Sequence, residues 1–189
     1  FYRVAADVSS KVLISLKSGK SVDRTMIQFR KEATEEFDPE FDSYKLKNGI
    51  FNLSTLTNEG QNLAANVLPR TKCGPPINLN ITNIEPGTYS LSFGGLESFD
   101  NLQSITLIDR FTEKSQVVEA DESYSFEVTS DPKSFGSERF QLQFDFTDQT
   151  PDPVVSKEGN RLTSSSLVGN QWYMNDQPIE GATGRSFVP

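Results

Sequence analysis

A period of two runs through most of this chain. The stretches KVLISLKS (residues 11–18), INLNIT (77–82), TYSLSF (88–93), QSITLID (103–109), SYSFEV (123–128) and RFQLQFDFT (139–147) alternate apolar with polar residues. Successive side chains of a strand point to opposite faces, so each stretch reads as a strand with one buried face. TMIQF (25–29) and IFNLST (50–55) bring the expectation to about eight strands before residue 150. Between them lie turn-rich pieces such as NIEPGT, FGGLES and SDPKSFGSE. No window carries apolar residues three and four apart over about ten positions, the pattern an amphipathic helix needs. Residues 1–147 are therefore expected to form an all-β, antiparallel, jelly-roll-like sandwich. Phe126, Phe140, Phe144 and Phe146 fall on alternating positions and are expected in its core.

At DQTPDPVVSKEGN (148–160) a strand has just ended, the charge is acidic, and Pro151 and Pro153 cannot join a central ladder. Residues 148–153 are read as a linker. Beyond the linker, NQWYMNDQPIEGAT suggests a strand holding Trp172, a tight polar turn and a return strand. Residues 154–189 resemble the opening of an immunoglobulin-like domain, in which a Trp on the third strand packs between two sheets. About three or four of the roughly seven strands of such a domain are expected, so the second domain reads as cut short. The chain opens on FYRVAADVSS, with neither an initiator Met nor a signal peptide, and reads as a fragment or processed product.

Composition removes several function classes. Eighteen basic against 26 acidic residues give a net charge of -8, which lacks the footprint of a nucleic-acid or anionic-membrane binder. There is no apolar run of about 18 residues, so no membrane insertion through a helix is expected. Cys73 is the single cysteine, which excludes a disulfide within the chain and a Cys-ligated zinc site. Histidine is absent, and with it Ser-His-Asp or Cys-His nucleophile activation and His-ligated transition metals.

The acidic stretch ATEEFDPEFDSYKLKNG (33–49) is the richest source of site residues. With Asp38 as position 1 of an EF-hand, Ser43 falls where Gly is required and Gly49 where the bidentate Glu belongs, so the loop is not an EF-hand. Asp38, Glu40 and Asp42 remain candidate ligands for a looser calcium site, because calcium takes hard carboxylate oxygens. The plainer reading is a solvated loop whose Asp side chains cap turns while Phe37, Phe41 and Tyr44 anchor it. A glycosidase pair would need two carboxylates at a set spacing, one of them with its pKa raised by burial, and neighbours in one acidic loop do not supply that. SGKS (18–21) ends like a phosphate-binding loop, but Ile14 stands where its first Gly belongs, so it reads as a hairpin turn. The sequons at Asn52 and Asn80 lie inside expected strands.

The order of these pieces carries a likeness. RTMIQFRKEATEEFDPEFDSYKLKNG, FNLSTLTNEGQNLAANVLP, PINLNITNIEPGTYSLSF, ITLIDRFTEKSQVVEADESYSFEV and RFQLQF occur in succession over Arg24 to Phe144. This resembles a β-sandwich module near the C-termini of large secreted and cell-surface proteins of the Bacteroidetes, many of them exported by type IX secretion. Asp38, Asp42, Lys45 and Leu46, the pair Leu68-Pro69, and GTYSL (87–91) match its hallmarks. The resemblance implies a non-enzymatic stalk or adhesion module, extracellular or on the cell surface. Its partners would be neighbouring domains of the same polypeptide and a surface glycan or protein. The resemblance carries over no catalytic residue and no cofactor; the calcium reading of Asp38, Glu40 and Asp42 rests on ligand chemistry alone. The competing expectation is a carbohydrate-binding jelly roll attached to a secreted polysaccharide-degrading enzyme.

Overall fold

The computed structural model describes residues 10–70, 74–99, 101–120, 122–147, 155–165, 170–174 and 177–189. The linker assigned to 148–153, the opening residues 1–9 and Cys73 lie outside them. Contacts divide the chain into two compact units, Phe1–Thr147 and Asp148–Pro189.

In the first unit the strands are β1 (Ser10–Ser18), β2 (Ser21–Phe29), β3 (Ser43–Tyr44), β4 (Asn52–Leu56), β5 (Asn62–Leu68), β6 (Ile77–Thr82), β7 (Gly87–Gly94), β8 (Leu102–Asp109), β9 (Lys114–Val117), β10 (Ser123–Val128) and β11 (Gly136–Phe146). The only helical pieces among the described residues are short 3-10 turns at Leu96–Ser98 and Pro132–Ser134. All the strands expected from alternation are present. SGKS forms the expected hairpin turn, with Ser18 paired to Ser21.

Hydrogen bonding runs in the order β10-β7-β1-β2-β5-β4-β6-β11-β8-β9. Strand β5 is the hinge of this arrangement. Leu63 pairs with both β3 and β4, and Ala65 with both β3 and β2. Two partners of one residue lie on opposite edges of its strand, so β2 and β4 share one edge of β5 and β3 takes the other. The sheet thereby divides into a layer β10-β7-β1-β2 and a layer β4-β6-β11-β8-β9, joined through β5. The pairing of β2 with β5 is parallel, where the sequence suggested antiparallel pairing throughout. Parallel neighbours need a long crossover, and residues 30–61 provide it.

The layers close on one another through their inner faces. The rings of Phe126 on β10 and Phe140 on β11, strands of different layers, lie 4.8 Å apart. Phe29 meets Phe144 at 4.9 Å, and Phe51 meets Tyr89 at 5.6 Å, both edge to face. These rings join Val12, Ile14, Leu16, Ile27, Leu91 and Leu107 in one core cluster. The four phenylalanines assigned to the core from alternation are all buried in it.

The second unit contains β12 (Val155–Glu158), β13 (Arg161–Ser164), β14 (Tyr173–Met174), β15 (Gln177–Pro178) and β16 (Ser186–Phe187). Strands β12, β13 and β16 form one antiparallel sheet, and β14 and β15 form a hairpin. Trp172 lies just before β14 and is half-buried rather than sealed between sheets. Its ring stacks on Phe187 at 5.7 Å, and its indole N–H donates to the Gly184 carbonyl at 2.9 Å.

Candidate functional site

The acidic loop is held to β5 by its own carboxylates. Asp42 Oδ1 accepts from the Val67 amide at 2.7 Å, and Oδ2 accepts from the Asp38 amide at 2.8 Å. Asp38 Oδ1 in turn accepts from the Glu40 amide at 2.9 Å, closing a turn. Asp38 and Asp42 are thus brought together, but with both oxygens of the buried Asp42 on backbone N–H groups. Glu40 joins them through its amide, and the residue itself is exposed. This is capping chemistry of the kind Asp performs in turns. Among the described residues no three His, Cys, Asp or Glu groups are placed to hold a metal ion.

The aromatic residues of the loop divide. Phe37 and the exposed Tyr44 stack face to face at 4.4 Å, so each presents one ring face to the other. Phe41 is covered by the Arg30 guanidinium at 5.3 Å. Of the residues expected to anchor the loop, Phe37 and Phe41 are half-buried and Tyr44 is not.

Lys45 closes the other end of the loop. Its ammonium lies 2.7 Å from both carboxylate oxygens of Asp23 on β2 and donates to the Arg24 carbonyl at 2.9 Å. Asp23 also accepts from the Asn48 side chain and from the Leu53 amide, each at 2.7 Å. Three chain segments thus meet at one buried carboxylate. Asn52 is buried, its side chain accepting from the Asn48 amide at 2.6 Å, which leaves that sequon inaccessible.

A second buried charge cluster sits on the opposite layer. Arg139 donates to both oxygens of Asp109, through Nε at 3.2 Å and Nη2 at 3.0 Å. Nη1 donates to the Glu127 carbonyl at 2.7 Å and to that of Ser134. Rings of Phe126, Phe140 and Phe111 surround the guanidinium at 4.6, 4.7 and 5.1 Å. Burial pushes the Asp109 carboxyl up, but the hydrogen bonds and charge of Arg139, with bonds from Tyr124 and Thr112, hold it below the usual carboxylate range. Burial raises the Tyr124 phenol, with the adjoining Asp109 carboxylate adding to the rise and Thr112 opposing it.

A cleft with a volume of about 320 Å³ lies beside β5. It opens where β5 leaves β4 after the pairs Thr55–Leu63 and Leu56–Asn62 to run beside β2. Phe29, Leu68, Phe144 and Phe146 form its apolar floor. Asn66, on the same face of β5 as Leu68, is buried, yet its carboxamide has no hydrogen-bond partner among the described residues. Asn58, Asn78 and the exposed Glu35 complete the polar lining. Sequence reasoning missed this site because Asn66 interrupts no motif; the one available signal was a polar residue within the apolar run LAANVL.

Compared with known proteins, the chain matches no family model, no curated protein and no solved structure.

Proposed function

We propose that the chain is a non-enzymatic structural and interaction module, a stalk or adhesion domain of a secreted or cell-surface bacterial multidomain protein. The observation that carries this reading is the fate of its buried charges. Asp23, Asp42, Asp109 and Arg139 are the buried charged residues among those described. Each directs its charge to backbone groups or to an ion pair that joins separate strands. Catalytic acids and bases instead keep a perturbed group free to meet a substrate in a cleft. The cleft beside β5 has one carboxylate among the described residues, the exposed Glu35. In a second cleft of about 270 Å³ the Tyr124 hydroxyl and the Arg139 guanidinium are already committed to Asp109 and to backbone carbonyls. The order of blocks shared with the Bacteroidetes modules supports the extracellular placement and the association with neighbouring domains. A glycan-binding module of a polysaccharide-degrading enzyme is the second reading, favoured by the cleft.

The test is incubation of the labelled chain with intact bacteria and with polysaccharide, peptide and ester substrates. Saturable attachment without product is expected. Product formation that Glu35→Gln abolishes would overturn the reading.

A further inference from the structure

Resting on that non-enzymatic reading, we infer that the cleft between β5 and the end of β11 is the contact site, and that it takes a neutral oligosaccharide.

Asn66 is the starting point. A polar side chain removed from water without a partner costs free energy, and native chains tolerate this mainly where a ligand or water completes the bonding. Its residue is 4% exposed, and the cleft is the space its carboxamide faces. Among the described residues the fully sealed side-chain atoms without a hydrogen bond are Arg30 Nε, Thr55 Oγ1 and Asn101 Oδ1; the Asn66 carboxamide is not among them and lines the cleft.

The neighbouring groups define the ligand. Asn78 receives the Gln141 side chain on its Oδ1 at 2.8 Å, which leaves its amide N–H groups for a ligand. Asn58 stands exposed on the turn between β4 and β5. Carboxamides both donate and accept, which matches hydroxyl groups that do the same. Among the described residues Glu35 is the one charged residue that lines the cleft, and its negative charge opposes an anionic ligand. The floor is apolar, suited to the C–H face of a sugar ring. A peptide is less well served, because Pro69, Pro75 and Pro76 at the cleft have no N–H to offer its main chain. The volume of about 320 Å³ sits at the lower end of the range for small-ligand sites and suits one or two sugar rings.

The experiment is calorimetric titration of the whole chain with neutral gluco-, manno-, galacto- and xylo-oligosaccharides, repeated on Asn66→Val and Asn78→Ala. Each variant's fold is first checked by circular dichroism. Saturable binding by at least one series is expected, weakened about tenfold or more in either variant, as for loss of a hydrogen bond in a desolvated site. If Asn66→Val fails to fold, Asn78→Ala decides. Absence of binding at millimolar sugar, or binding that both folded variants leave unchanged, overturns the inference. Cleavage of the sugar, followed by mass spectrometry, would instead overturn the non-enzymatic reading while leaving the site in place.

Discussion

Replacing Asp109 with Asn keeps the side chain's shape and removes its charge. The carboxylate accepts from Arg139 at 3.0 and 3.2 Å, from the Tyr124 hydroxyl at 3.0 Å, and from the amides of Phe111 and Thr112 at 3.1 and 3.3 Å. An Asn turns an NH2 toward donors on one side and leaves the guanidinium without a counter-charge, where both side chains are 1% exposed. Breaking a buried pair by removing one partner costs about 3–5 kcal/mol. The surrounding rings and the Glu127 and Ser134 carbonyls still hold Arg139, which places the expected loss at the lower end, about 3 kcal/mol. For a unit of this size that is a fall in Tm of roughly 6–12 °C. Urea and thermal unfolding followed by circular dichroism measure it. The double variant Asp109→Leu/Arg139→Met should recover most of the loss, because it leaves no unpaired charge. A single variant within about 0.5 kcal/mol of the parent would refute the reasoning, since that is the range of an ordinary surface change.

The same cluster sets a pH dependence. The Asp109 pKa is lowered by folding, so its stabilisation is complete above the unfolded carboxyl value, about 3.9, and is lost as pH falls through the lower folded value. The stability difference between parent and Asp109→Asn should therefore be full at pH 7 and shrink below about pH 4 in a urea series. Tyr124 has a raised pKa, so its stabilisation is complete below about pH 10 and is lost as pH rises through the higher folded value; Tyr124→Phe should flatten that alkaline loss. Lys45→Met leaves the Asp23 carboxylate buried with only Asn48 and Leu53 as donors, and should cost about 2–3 kcal/mol in urea unfolding; an unchanged midpoint would show that the pair is solvated. Gly95 has φ +85°, and a Cβ there would meet the Lys11 carbonyl at 2.7 Å, whereas one on Gly60, at φ +83°, meets nothing within 4 Å. Ala at position 60 should cost about 1–2 kcal/mol, for the dihedral alone. Ala at position 95 should cost measurably more, and equal losses would place that turn farther from β1 than the structure has it.

A strand is legible in sequence to the extent that its environment imprints a pattern on it. Strands such as β7 and β8 have one face on the core and alternate cleanly in burial, so period two finds them. Strand β5 has buried residues on both faces, Leu63 and Val67 on one and Asn66 on the other, and its NLAANVL shows no clean alternation. Strand β9 is an edge with all four residues exposed, and KSQV, with Val117 as its single apolar residue, shows no alternation. The clamps were hidden for another reason. Asp23 and Lys45 meet only after residues 30–61 begin their crossover, and Arg139 turns inward next to Phe140 at a register shift between Gly136 and Phe140. Neither pairing is a local property of the chain. The carboxylates of 38–42 were legible as a cluster, but whether they face solvent, a metal or backbone amides depended on the position of β5.

In this fold the buried Asp23 and Asp42 fasten loops to strands, Asp23 through Lys45, Asn48 and the Leu53 amide and Asp42 through the amides of Val67 and Asp38. Thermal unfolding of the parent chain and of Asp42→Asn, each in excess EDTA and again in millimolar calcium, tests this most directly. With Asp42 engaged by the amides of Val67 and Asp38, the parent should melt at the same temperature in both solutions. The variant should melt lower by the same margin in each. A rise in the parent's Tm with calcium that the variant lacks would contradict that role and make the loop a metal site, because a ligand stabilises the state that binds it.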